Sequence, residues 1–139
     1  MKKSLIVFDG TCSLCNKFVL FVVKRDYGDN FRFISLQNPN LHKYLNSSNK
    51  IDAIEANSIL LINHEGDVKI KSEAINLIFC RLKGLKSLTL IMNFFPNKIR
   101  NLVYSLVAKH RYKIFGKTDH CSMVEQKLHY KLYKKKILF

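Results

Sequence analysis

The chain has 139 residues, 47% of them hydrophobic, with 24 Lys+Arg against 10 Asp+Glu for a formal charge of +14. That length and apolar share suit one domain whose buried core needs no staples. No run reaches the roughly 18 apolar residues of a spanning helix, and the segment between Lys3 and Asp9 is too short for the apolar region of a signal peptide. A cytoplasmic protein is therefore expected, in which four cysteines point to redox or metal chemistry rather than to structural disulfides.

Ser4–Phe8 reads as a short buried strand, rich in β-branched and aromatic residues and closed by Asp9-Gly10. Cys12 and Cys15 follow at once as C-x-x-C. Leu14–Tyr27 then reads as an amphipathic helix, with Leu14, Phe18, Phe21 and Val22 near one face. Phe31–Leu36 is a second strand, and a strand–helix–strand crossover of this length predicts a parallel, right-handed unit. Pro39–Leu45 predicts a short helix with proline in its first turn, and Asn46–Asn57 reads as polar and irregular. Ser58–Ile62 and Val68–Lys71 predict a hairpin around His64-Glu65-Gly66-Asp67. Ser72 is placed to cap a helix through Leu82. Leu85–Phe94 predicts a further helix, and a segment from Pro96 runs to about His110.

This order, β-α-β-α-β-β-α followed by additional C-terminal helices, is the α/β layout of a thioredoxin-like fold. It predicts a domain over residues 1–121, with a core at about 4–83 and a helical extension at about 85–121. Residues 122–139 read as a basic C-terminal helix or tail. The charge is uneven: residues 1–82 carry 11 Lys+Arg and 8 Asp+Glu, and residues 83–139 carry 13 and 2. The C-terminal excess suits weak contact with an anionic surface, or else is a solvated basic face.

The chemistry centres on the C-x-x-C pair. A cysteine at a helix N-terminus meets free backbone N–H groups and the positive end of the dipole, which favour the thiolate. Cys12, nearest the terminus and expected to be exposed, is the candidate nucleophile. Cys15, one turn in, is the candidate resolving thiol, and the exchange needs no cofactor. Asp9, three residues before Cys12, has two readings: a proton acceptor or tuner of the thiols, or an Asx-turn cap over Gly10-Thr11. A D-x-D-G-T hydrolase motif is excluded because Val7 stands where its nucleophilic Asp would be. A zinc site on the same cysteines would need His120 and Cys121 as further ligands. Cys80 is expected in the core, and His42, His64, His110 and His129 on the surface.

Together these residues resemble the DCC family of thiol-disulfide oxidoreductases, named for an Asp-x-x-Cys-x-x-Cys motif matched by Asp9, Cys12 and Cys15. Ser72-Glu73-Ala74 is similar to its Ser-x-Ala segment. Tyr104 through Gly116 is similar to its Tyr-x-x-x-Ala-x-x-Arg-Tyr-x-x-Phe-Gly signature, and Cys121 to a cysteine that often follows it. The resemblance spans about residues 4–121. It implies a thioredoxin-like fold and a protein-disulfide reductase type of activity on a disulfide-containing protein or small thiol, with a separate reductant. It also favours a site role for Asp9 and draws in Arg111 and Tyr112. The alternative is a zinc-binding or basic interaction module of the same fold. Thioredoxins hold a cis-proline before the third strand. Here Glu55-Ala56-Asn57-Ser58 occupies that place, so Asn57 or Ser58 is expected to face the cysteines.

Overall fold

A computed structural model describes residues 3–45, 59–117 and Lys136. Strands β1 (Ser4–Phe8), β2 (Phe31–Ser35), β3 (Leu60–Ile62) and β4 (Val68–Ile70) form one sheet in the order β2-β1-β3-β4. β1 and β2 are parallel, with Ser4 opposite Phe31 and Phe8 opposite Ser35. β3 runs antiparallel to both β1 and β4. Helices α1 (Ser13–Arg25), α2 (Lys71–Arg81), α3 (Lys86–Phe94) and α4 (Asn97–Phe115) complete the described residues, with a 3-10 helix at Pro39–Lys43. This is the thioredoxin-like α/β arrangement expected.

The period of two along β1 divides the core. Ile6 and Phe8 join Phe31, Phe33 and Leu61 on one face, covered by Val19 and Val22 of α1 and by Ala74 and Ile78 of α2. Val7 points the other way and packs with Ile34 and Leu60 beneath Leu41 and Leu45. A strand buried on both faces has no polar alternation, which is why Ser4–Phe8 reads as a continuous apolar run.

Four local expectations are corrected. The Pro39 segment is a 3-10 helix, its first N–H groups satisfied by Asn38, whose side chain accepts from Asn40 N at 2.8 Å. Ser72 is not a cap: the chain turns directly from β4 into α2 through Lys71 at φ 53°, and the Ser72 hydroxyl bonds Asn101 on α4. The last helix runs past His110 to Phe115, carrying Arg111 and Tyr112 with it. Cys80 is exposed rather than in the core. Ser58, expected to start the third strand, lies outside the described residues, as do Asn57, His129 and the segment before Lys136. Lys136 reaches back to the far end of α1, its Nζ 2.7 Å from the buried Asp26 carboxylate.

Candidate functional site

The parallel pairing of β1 and β2 sets the loops after them side by side, and the site grows from that junction. Asp9 leaves β1 and makes the expected Asx-turn: its Oδ1 accepts from Thr11 N at 3.0 Å and from Thr11 Oγ1 at 2.7 Å. Gln37, just past β2, crosses over to donate to the same Oδ1 at 2.9 Å and to accept from Gly10 N at 2.9 Å. Gly10 has no room for a side chain, since a Cβ there would lie 2.7 Å from Ser35 Oγ. Asn16 closes the loop from the helix side, donating to Gly10 O at 2.9 Å.

Held this way, the loop delivers Cys12 to the N-cap of α1. Its Sγ accepts the Cys15 backbone N–H at 3.4 Å and so takes the place of a capping oxygen. The Cys15 thiol also donates to it. That hydrogen bond is the main reason the Cys12 pKa falls to about 6. Burial opposes the shift, while the Cys15 N–H, the Arg111 charge and the Leu14 N–H support it. Cys15 moves the other way, far above its ordinary range, because it holds the shared proton, is buried and faces the Cys12 charge. The two shifts run in opposite directions and favour the negative charge on Cys12 and the shared proton on Cys15.

Cys12 departs from expectation in one respect: it is 0% exposed. Its backbone bridges to Lys117, and the Ser13 N–H points at Gly116 O, 3.5 Å away, so the chain leaving α4 lies across it. Gly116 makes this return with φ 78°, a conformation that favours glycine. Beside Cys15 there is instead an apolar cavity of about 210 Å³, lined by Leu14, Phe18, Ile59, Phe79 and Ala108. Ile59, immediately before β3, fixes its own N–H on Tyr104 Oη at 3.0 Å.

The last turn of α4 closes the site. Arg111, 2% exposed, places Nη1 3.4 Å from Cys15 Sγ and Nη2 3.3 Å from Asp9 Oδ2. Tyr112 hydrogen-bonds the same Oδ2 and accepts from Arg111 Nη2 at 2.9 Å. Burial would raise the Asp9 pKa, but the hydrogen bonds from Tyr112, Thr11 and Gln37 outweigh it and hold the carboxyl below its ordinary value. Burial and the bond to Asp9 push the Tyr112 phenol up, so it remains a donor.

The structure thus brings Asp9, Cys12, Cys15, Arg111 and Tyr112 together. Gln37 and Asn16 were not foreseen, and the strand register alone identifies Gln37. Cys80 stands apart and exposed, as do His42, His64 and His110. Among the described residues there is no group of three His, Cys, Asp or Glu side chains able to hold a metal; His120 and Cys121 lie outside them.

The profile of the DCC1-like thiol-disulfide oxidoreductase family matches residues 6–117. An uncharacterized protein of Bacillus subtilis, YuxK, is 36% identical over 119 residues, which cover 86% of this chain and 85% of that protein. A DCC family protein of Arabidopsis thaliana, named as chloroplastic, is 32% identical over 123 residues, covering 88% of this chain and 70% of its own. No solved structure matches the chain.

Proposed function

The chain belongs to the DCC1-like thiol-disulfide oxidoreductase family, and from that premise we propose that it is a cytoplasmic protein-disulfide reductase with Cys12 as nucleophile and Cys15 as resolving thiol. The observation that carries this reading is the Cys12 sulfur at the α1 N-cap, accepting from Cys15 and titrating at about 6. At neutral pH that sulfur is a thiolate and ready to attack.

The Cys12 thiolate attacks one sulfur of a substrate disulfide. The substrate S–S bond breaks, and its other sulfur leaves as a thiolate that takes a proton from water. Substrate entry displaces the Lys117 backbone that lies across Cys12. In the mixed disulfide Cys12 carries no charge, so the chief cause of the raised Cys15 pKa is gone. Arg111, 3.4 Å away, then stabilises the Cys15 thiolate as its proton passes to solvent. Cys15 attacks Cys12 Sγ and expels the second substrate thiolate, which is protonated in turn. Two electrons have left the dithiol: a Cys12–Cys15 disulfide has formed and the substrate is two thiols. A thiol reductant restores the pair, and a reducing cytoplasm favours this direction.

Asp9 takes the role of a positioning residue in this scheme. Five donor groups already converge on its carboxylate, which suits it to orient Arg111 and makes it a poor base. Counting free thiols before and after a mild oxidant, then after dithiothreitol, tests the reading. Cys12 and Cys15 should be lost and regained together. With a disulfide substrate, Cys15→Ser should trap a mixed disulfide on Cys12. Trapping on Cys15 in Cys12→Ser instead would reverse the two roles, and a pair that cannot be cycled would end the redox reading.

A further inference from the structure

Outside the dithiol, the most unusual surface is the α3–α4 face. Phe94 is 85% exposed and Leu90 71%, with Ile91 beside them on α3. On α4, Ile99, Leu102, Val103 and Leu106 are exposed at spacings that fall on one helical face. These are not scattered side chains. Ile91 of α3 and Phe95 just past its end line, together with Ile99, Val103 and Val107 of α4, a single apolar groove of about 450 Å³. An open apolar surface of this kind marks a docking site.

Its charge identifies the occupant. Residues 83–117 carry eight Lys and Arg and no Asp or Glu. Lys98, Lys109 and Lys113 flank the apolar face of α4, and all three are exposed. A second copy of this chain would meet the face with the same sign of charge, which disfavours self-association. Nucleic acid would satisfy the lysines but has no counterpart for the aliphatic side chains between them. An anionic bilayer satisfies both, since its headgroups attract the lysines and its acyl boundary takes the apolar centre.

We propose that the α3–α4 face docks the protein onto anionic lipid membranes. No described helix is long and apolar enough to cross a bilayer, so the two helices lie in the interface. The groove shares Ile75, Tyr104 and Val107 with the cavity beside Cys15. Docking through it therefore holds the dithiol near the lipid surface.

Flotation with phosphatidylcholine vesicles, with and without phosphatidylglycerol, tests the proposal. The protein should float with the phosphatidylglycerol vesicles at least about tenfold more than with phosphatidylcholine alone, and added salt should weaken the association. Leu90→Asp with Phe94→Asp should lower it by a further tenfold or so, because two exposed apolar side chains no longer enter the interface. Both residues are exposed, so circular dichroism should be unchanged. If that variant does not fold, Leu102→Asp on α4 reads the same face. Three results would overturn the proposal. One is no flotation with either vesicle. Another is flotation indifferent to these substitutions, the behaviour of a purely electrostatic or nucleic-acid surface. The third is a dimer in sedimentation that the substitutions dissolve, with no vesicle binding.

Discussion

The two ends of α4 invert the usual rule. At its C-terminal turn a guanidinium, Arg111, is 2% exposed, while near its start Ile99, Leu102 and Val103 are in the open. Arg111 is buried because Asp9, Cys15 and Tyr112 accept hydrogen bonds from its N–H groups. The apolar residues are exposed because α1 and α2 pack against the inner side of this helix and leave its outer side open to solvent. Burial here follows available partners rather than hydropathy. The dithiol end is a closed polar network, costly to disturb, and the α3–α4 face is an open apolar one, cheap to alter.

That contrast can be broken by substitutions at each end. The largest effect is expected for Cys12→Ser, which should remove disulfide reduction by at least about a thousandfold, since a hydroxyl is not a nucleophile at neutral pH; turnover with a model disulfide reads it. Next comes Arg111→Ala. Removing one partner of a buried ion pair costs about 3–5 kcal/mol. The hydrogen bonds left on Asp9 from Thr11, Gln37 and Tyr112 should hold the loss near the lower end, measured by urea unfolding. A loss of only a few tenths would mean that the two ends of α4 do not differ in the way described.

The pH dependence sharpens the same point. Because the Cys12 pKa is lowered to about 6, its alkylation by iodoacetamide should be level at neutral pH and fall about tenfold per pH unit below 6. An ordinary thiol would instead still be gaining thiolate at neutral pH, so a midpoint between 8 and 9 would contradict the site geometry. Arg111→Ala should move the midpoint upward by removing a nearby positive charge. The smallest effect belongs to the other region: Phe94→Asp should change unfolding stability by no more than about 0.5 kcal/mol, as an exposed substitution does, while lowering association with anionic vesicles. A large loss of stability there would show that the face is packed in the folded protein.

Much of this was legible along the chain. Ser4–Phe8, the C-x-x-C after it and the helix from the cysteines onward are short-range patterns, and each formed within a residue or two of its expected bounds. Ser72 misled because a serine before a helix has the same appearance whether it caps or, as here, reaches across to Asn101. Cys80 misled because Phe79 and Ile78 beside it do pack inward, and one residue of rotation on a helix is enough to turn a side chain out. Cys12 was expected to be exposed because nothing near it in sequence covers it; the cover is Lys117.

By itself the sequence determined the continuous apolar run that buries β1 on both faces, the sulfur at a helix N-terminus and the concentration of positive charge after residue 82. These depend on spacing and composition, which are local properties of a chain. Only the tertiary structure decided that Arg111 meets Asp9 across 102 positions, that Gln37 braces the turn and that Lys117 lies across Cys12. It also decided which apolar residues of α3 and α4 stay in the open. Burial, ion pairing and pKa are sums over neighbours in space, and those neighbours come together only when the sheet register and the last helix are in place.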